Sequence, residues 1–454
     1  SVDHDYGAGF CLWLSKEDFE EIGKQLQKDY DSLPKECLGF PARNTQKTGE
    51  RRIGVFQRED FFKQLTGFSN APKLGKNGDK LCQKDKEAWR GMQPEGLSCV
   101  MSGEIFDDPS GTFSKEREAF SFYPEEIFLE KLSVSLGRMA QAGQYNYERM
   151  RRRKDIGGMY FCLAQFLDAA VDTAYLLNRM YTPIYKWKMK GMKNFHTLKE
   201  IKEKLERIQS LPCDMEGMET KIEEICGMIS GEMRRQKLST SFDNFLETHK
   251  RQVEERALVL DIVKEEWEQF QNVQNEGGRA SCQDDWETFE IMRKSQFYTW
   301  RQDGLKSYYK DLVRAKKQGW NLLTEKYARM MESTAPEEYE KWKDILPKRS
   351  EKRRELEEEI IRTEISWAER FSMKYPHLGG SGRSIHTAED TPWDTSMETY
   401  LRGELGTYSD ETLSRYKDMI AGYEREGKNL TEMKLTFMTF FYGYRSLDQA
   451  EQAM

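Results

Sequence analysis

The sequence predicts an α+β protein: a small α/β domain followed by a helical domain and a second, all-helical domain. Residues 1 to about 120 contain most of the strand-like signal. From Pro124 onward, apolar residues recur at spacings of three and four, the period of a helix with one buried face. The chain has 454 residues, 33% charged and 37% hydrophobic, which suits solvated helices around more than one core. The expected divisions are 1–120, 121–245 and 246–454.

In the first division Phe10 to Leu14 is a short apolar run, Arg52 to Phe56 alternates, and Cys99 to Phe106 is a third strand candidate. The last runs into the turn Asp107-Asp108-Pro109-Ser110-Gly111, and a helix over Lys16 to Tyr30 separates the first two. Helices come next over Glu125–Ala142, Met159–Tyr181, Leu198–Gln209 and Met215–Met233, with Pro183 closing the second and a junction at 236–246. In the last division the spacing predicts helices over Gln252–Val273, Trp286–Tyr298, Gly304–Met331, Glu337–Trp342 and Arg349–Lys374. Gly277-Gly278 breaks the chain, Gly379 to Thr391 reads as a loop, and helices resume around Thr395, Ser409 and Leu430. No internal repeat is visible.

Composition narrows the function classes. A net charge of −7 argues against a protein that coats nucleic acid through bulk charge. No apolar run approaches the roughly 18 residues of a membrane span. The opening residues do not read as a signal peptide, and Ser1 without a methionine means a processed start or a fragment. Eight scattered cysteines without a CxxC pair read as reduced thiols of a cytoplasmic protein, and five scattered histidines do not suggest zinc.

Asp3 and Asp5 are the first chemical candidates. Residues two apart on a strand share a face, so two carboxylates would stand side by side. Adjacent anions favour a cation, and magnesium prefers hard oxygen donors and phosphate. Held there, it could bridge a nucleotide's phosphates and activate a hydroxyl. A solvated turn is spelled the same way. His4 would face the other side.

The block Ser1-Val2-Asp3-His4-Asp5-Tyr6-Gly7 runs straight into the Phe10–Leu14 strand and then a helix. It resembles the second half of the active-site motif of the polymerase-beta-like nucleotidyltransferase superfamily. Residues 1 to about 190 are similar to the uncharacterised family DUF4037 through further blocks. These are Gly103-Glu104-Ile105-Phe106-Asp107, Tyr123-Pro124, Gln144-Tyr145-Asn146-Tyr147, Tyr175-Leu176-Leu177-Asn178 and Tyr181 to Trp187. The resemblance implies magnesium-dependent transfer of a nucleoside monophosphate from a nucleoside triphosphate, with ATP the expected donor, to an unidentified acceptor. It also implies a Gly-Ser pair ahead of the aspartates, so the domain is expected to be N-terminally truncated here. A third carboxylate should come from a neighbouring strand. Arg52 to Phe56 contains none, leaving Glu59, Asp60, Glu104 and Asp107. Glu104 is favoured because it ends a predicted strand, although a polar residue at a hairpin edge fits equally. Asp107 and Asp108 suit the turn.

A helical partner domain would contact the nucleotide. Tyr145, Asn146 and Arg149 are its candidates on one helix, with Arg149 opening the run Arg151-Arg152-Arg153-Lys154. A solvated helix face explains that run as well. Tyr185 and Lys186 beside Pro183 could stack on a base and neutralise phosphate, or mark a packed helix exit.

Residues 255–454 resemble a second uncharacterised family, DUF4125, through Glu265-Glu266-Trp267, Gly277 to Gln283, Met292 to Gln296, Asn321 to Met331 and Glu398 to Leu405. No activity follows from this likeness. Arg279, Cys282 and Asp284 make the Gly277–Asp285 loop a candidate site, against a capping role for Ser281 or Asp284. Asn321, Glu325, Lys326 and Arg329 are spaced to form a polar cluster facing Arg293 and Gln296, with Arg402 and Glu404 beside it. An internal salt-bridge network is the simplest account.

Two other functions compete with the transferase. A catalytically inactive nucleotide-sensing or interaction module fits the missing Gly-Ser pair. A helical ribonuclease would need Arg370 and His377 on one face, which Pro376 opposes.

Overall fold

The computed structural model describes residues 9–41, 53–74, 81–274, 278–391 and 393–454. Its described residues divide into two compact units, the first ending at Arg251 and the second beginning at Gln252. Helix dominates both, and the strands are few and short.

Unit 1 begins with β1 (Cys11–Leu14) and α1 (Lys16–Asp31). A hairpin of β2 (Glu36–Cys37) and β3 (Phe40–Pro41) turns through Leu38 and Gly39, both at positive φ. β4 (Gly54–Gln57) then pairs in parallel with β1, Cys11 opposite Gly54 and Leu14 opposite Gln57. Ser15 starts α1 by accepting from the Asp18 amide at 3.1 Å. The helix returns along the pair: the Gln27 side chain accepts from the Val55 amide at 2.8 Å, and the Tyr30 hydroxyl donates to the Phe10 carbonyl at 2.8 Å.

The expected third strand, Cys99 to Phe106, is not formed. After α2 (Arg58–Thr66) and α3 (Gln83–Gly91), helix α4 (Pro94–Val100) takes in its first residues, and 101–110 are irregular before α5 (Thr112–Glu118). Pro94 opens α4 where its missing N–H costs nothing. Leu97 and Val100, three apart, are both buried, so the apolar run is spent on a helix face. Gly103 then sits at φ +79°, and the Arg117 guanidinium takes the Met101 and Gly103 carbonyls at 2.5 and 3.0 Å. Asp108 shapes the turn as expected, accepting from the Ser114 amide at 2.8 Å. Stacked rings tie this region together: Trp13 on Phe113 at 3.9 Å, Phe113 on Phe62 at 5.3 Å, and Phe62 on Phe120 at 5.4 Å.

Helix α6 (Glu125–Met139) continues through a π-helical stretch, Ala140–Tyr147, into α7 (Glu148–Arg152). It packs on α8 (Ile156–Leu177) through small residues, with the Ser135 hydroxyl donating to the Ala169 carbonyl and Thr173 to Ser135. Short α9 (Lys188–Gly191), α10 (Ile201–Gln209) and α11 (Met218–Arg235) come next, and α12 (Leu246–Gln271) carries the chain out of unit 1.

Unit 2 is all-helical among its described residues. After α13 (Trp286–Phe297), the single helix expected over Gly304–Met331 is two, α14 (Gln302–Lys317) and α15 (Leu322–Thr334). Gly319 at φ +69° ends the first, and Asn321 caps the second by accepting from the Thr324 amide at 2.9 Å. The remaining helices are α16 (Pro336–Trp342), α17 (Glu351–Lys374), α18 (Pro376–Gly380), α19 (Met397–Leu405), α20 (Asp410–Arg425), α21 (Leu430–Phe441) and α22 (Leu447–Ala453). The expected Gly379–Thr391 loop thus opens on helix α18. The core gathers Ile262, Phe297, Leu312, Ile361, Leu405 and Met419. No helix among the described residues is long and apolar enough to cross a membrane.

Stability measurements can check two features of unit 1. A Cβ on Gly143 would lie 3.0 Å from Ile222 Cγ2 and overlap the Phe166 ring. Gly143→Ala should therefore destabilise the protein by about 1–3 kcal/mol, read as a lower denaturation midpoint. His249 is fully buried, with Nε2 2.7 Å from the Asp243 carbonyl and Nδ1 2.8 Å from Ser239 Oγ. A carbonyl can only accept, so Nε2 carries the proton and the neutral ring accepts from the Ser239 hydroxyl at Nδ1. Burial holds this imidazole below its ordinary value of 6.5. The unfolded chain then binds a proton that the folded one refuses, so stability is intact above 6.5 and lost as pH falls from there through the folded value. Melting temperature should drop over that window in the wild type and more gently in His249→Gln.

Candidate functional site

Asp3 and Asp5 lie outside the described residues. Just downstream, the β1–β4 pair delivers the chain into α2, whose first turn holds Arg58, Glu59 and Asp60. Arg58 bridges Glu116 at 2.8 Å and Glu59 at 3.3 Å, and desolvation raises the Glu116 carboxyl above its ordinary range. Asp60 is exposed. The preference for Glu104 rests on its place at the end of a strand, and that strand does not form. Glu104 sits exposed in the irregular segment after α4, so the reason for preferring it disappears. Glu59, half-buried in the first turn of α2, takes its place among the alternatives. No three His, Cys, Asp or Glu side chains come together as a metal site among the described residues.

The motif residues of the helical part fall into two groups. One group holds backbone. The Gln144 amide donates to the Asn244 carbonyl at 2.9 Å and accepts from the Leu246 amide at 2.9 Å. The Tyr147 hydroxyl donates to the Cys213 carbonyl at 2.7 Å, and burial pushes its pKa up to about 12. Asn178 accepts from the His196 and Thr197 amides, and the Tyr175 and Tyr181 hydroxyls donate to the Lys188 and Phe120 carbonyls. In the other group Tyr145, Asn146 and Tyr185 make no such backbone bond among the described residues. Tyr145 is exposed under the Arg149 guanidinium, 4.1 Å from its ring centroid, and Asn146 makes no side-chain hydrogen bond among the described residues. Tyr185 is 78% exposed, and exposed Lys186 lies over Trp187 at 5.8 Å. Of the basic run, Arg151 and Arg152 are neutralised by Glu148 at 2.8 and 2.7 Å.

Sequence reasoning missed one cluster here. Lys188 Nζ lies 2.6 Å from Asp168 and 2.9 Å from Asp172, and Arg138 lies 2.8 Å from Asp168. Desolvation raises the Asp172 carboxyl, whereas Asp168, though partly desolvated, is held low by Lys188 and Arg138. Two acids four apart in an otherwise apolar helix were the available signal. By fastening Lys188 to α8, the cluster fixes the turn that presents Tyr185 and Lys186 at the surface.

In unit 2 the polar cluster is only partly the one expected. Arg293 is bidentate to Glu266 at 2.5 and 2.6 Å and reaches Glu404 at 3.3 Å. Glu404 also accepts from Lys326 at 2.5 Å, Gln296 at 2.6 Å and Tyr408 at 3.0 Å. Despite desolvation, Arg293 and Lys326 hold this carboxyl well below its ordinary range. Glu325 and Arg329 pair with each other at 2.7 Å on a different face of α15, because neighbouring helical residues point about 100° apart. Asn321 caps α15 and donates to the Gln269 carbonyl at 2.8 Å. Arg402 belongs to a separate, more exposed group with Glu358 at 2.7 Å and Glu398 at 2.8 Å.

The Gly278–Asp285 stretch reads as architecture. Buried Gln283 donates to the Phe270 and Val273 carbonyls at 2.8 and 3.1 Å, plugging the end of α12. Arg279 pairs with Asp284 at 2.9 Å, and Asp285, neither Ser281 nor Asp284, caps α13. Cys282 is exposed, and none of the eight cysteines, all among the described residues, forms a disulfide. Arg370 and His377 stand on different helices, α17 and α18.

Comparison with known proteins divides the chain in the same order as the fold. Residues 89–188 match the family described as "Domain of unknown function (DUF4037)", and residues 256–452 match "Protein of unknown function (DUF4125)". The first match starts downstream of Asp3–Gly7. No curated protein and no solved structure matches the chain.

Removing one member of a buried ion network leaves its partners charged and unsolvated. Glu404→Gln, close in shape, should destabilise the protein by about 3–5 kcal/mol. Guanidinium unfolding monitored by tryptophan fluorescence checks this, and a loss below about 1 kcal/mol would contradict the assignment.

Proposed function

We propose that the chain is a magnesium-dependent nucleotidyltransferase, moving a nucleoside monophosphate from a nucleoside triphosphate, ATP by expectation, to an acceptor yet to be identified. The carrying observation is the architecture directly downstream of Asp3-His4-Asp5: strand β1 paired in parallel with β4 and backed by α1. The two carboxylates thus stand in sequence just ahead of a strand–helix unit of the kind the motif requires. Their hard oxygens suit magnesium, which when bound would bridge the donor's phosphates. Glu59, directly after β4, replaces Glu104 as the third carboxylate of this reading. Tyr145, Asn146, Arg149 and Tyr185 are the proposed nucleotide contacts, supported by their freedom from the backbone-holding duties of Gln144, Tyr147 and Tyr181. Lys186, beside Tyr185, would add charge opposite phosphate.

A second reading, a nucleotide-sensing module without turnover, is favoured by one observation: β4, with the sequence Gly-Val-Phe-Gln, contributes no acid. Full-length protein incubated with labelled ATP, magnesium and cell extract should transfer label. Asp3→Asn and Asp5→Asn should each reduce transfer at least ~100-fold. Equal labelling by these variants would sink the transferase reading. Calorimetric binding of magnesium-ATP without transfer would select the sensor, and no binding would remove both.

A further inference from the structure

We propose that unit 2 contains a binding site for a small phosphate-class anion, a phosphate monoester or diphosphate, in a cavity where α14 ends and α15 begins. The site lies within unit 2 and does not depend on the transferase reading.

The cavity has a volume of about 290 Å³. Its remaining walls are Pro347–Arg349, ahead of α17, and the Gly406–Ser409 turn after α19. Five cations line it: Arg314, Arg329, Lys348, Arg349 and Arg353. The acids nearby are already committed. Asp311 pairs with Arg314 and accepts from the Ser409 amide at 3.0 Å and the Thr412 hydroxyl at 2.6 Å. Glu325 accepts from Arg329 at 2.7 Å and Trp320 at 2.6 Å. Glu357 is shared between Arg349 and Arg353, 2.8 Å from each, and Asp410 holds Arg353 at 2.6 Å.

What remains is donor capacity without an acceptor. The Arg349 side chain is 10% exposed, yet only Nη1 is hydrogen-bonded among the described residues, leaving Nε and Nη2. Lys348, exposed at the rim, has no partner among the described residues. Burial, and then the charge of Arg329, pull the Arg349 guanidinium below its ordinary range. An anion would supply the missing acceptors.

Gly406 keeps the arrangement open. A Cβ there would lie 2.7 Å from Arg329 Cδ and 3.0 Å from Arg349 Nη1, so a side chain would push the two guanidinium groups out of place. Ligand cavities usually run from about 300 to 1,000 Å³, so this one suits a phosphate with a small organic group better than a whole nucleoside triphosphate. A guanidinium fork beside a lysine matches a doubly charged, many-acceptor phosphate better than a carboxylate.

The test is calorimetric titration of the full chain with inorganic phosphate, pyrophosphate and glycerol phosphate at low ionic strength. Saturable binding at one site is expected. Tighter pyrophosphate would identify a diphosphate ligand, and tighter glycerol phosphate a monoester. Arg349→Met should weaken binding about tenfold or more, as loss of a charged hydrogen-bond donor does. Gly406→Ala should weaken it similarly. Lys348→Gln changes an exposed, unpartnered side chain and should fold normally, so a several-fold loss there tests the site even if Arg349→Met does not fold. The proposal is overturned by no saturable binding in the wild type, or by unchanged affinity in Lys348→Gln together with whichever other variants fold.

Discussion

A buried carboxylate has about four lone-pair directions and no water to fill them, so its donors must come from the protein. Glu404 in unit 2 meets this demand with Arg293, Lys326, Gln296 and Tyr408. The donors reside on α13, α15 and the turn after α19, and Glu404 itself sits on α19. Through Arg293 the same network reaches Glu266 on α12, whose carboxylate also accepts from Tyr308 on α14 at 2.7 Å. Five helices are therefore constrained at one point. Apolar contacts tolerate sliding by part of a turn, whereas these hydrogen bonds do not.

The constraint propagates into packing. To bring Glu404 against Lys326, α19 must lie close on α15, and Gly403 makes room: a Cβ there would lie 2.7 Å from Met330 Cγ and 2.9 Å from the Lys326 carbonyl. Gly406, one turn further, performs the same service for Arg329 and Arg349. The Glu398–Leu405 stretch and the turn after it are thus shaped by two requirements at once: a satisfied buried charge on one side and close-set guanidinium groups on the other. In unit 1 the comparable device is the π-helical stretch after α6, whose wider turn is a recognised mark of functional sites. There it places Gln144 and Tyr147 inward as backbone supports, while Tyr145 faces outward.

Helices with one apolar stripe were legible in the sequence, most of them to within a few residues at each end, because their period states their buried face; α12 starts six residues before the expected Gln252. Cys99 to Phe106 misled because a short apolar run has no period of its own, and Pro94 and Gly103 decided it. Gly304 to Met331 misled in the opposite direction, since the stripe continues across Gly319 and only its positive φ, capped again by Asn321, reveals the break. Side-chain partners were less legible still. Lys326 and Glu325 are neighbours in sequence and belong to different networks, a distinction that depends on which helices face α15. Glu404 was visible as a neighbour of the cluster but not as its centre, and the ties of Lys188 to α8 cross a loop that no local pattern encodes.

Strong electrostatic perturbation and reactivity are different properties, and the two units separate them. A group that exchanges protons with a substrate must be both tuned and reachable. Glu404 is the most strongly tuned carboxylate of unit 2, but every lone pair is taken and its anionic form is locked in, so it neither accepts a proton near neutrality nor meets a ligand. The carboxylates around Glu325 and Glu357 are similarly consumed by arginines. What unit 2 leaves open is donor capacity at Arg349 and Lys348, and donors without a neighbouring base bind anions rather than transform them.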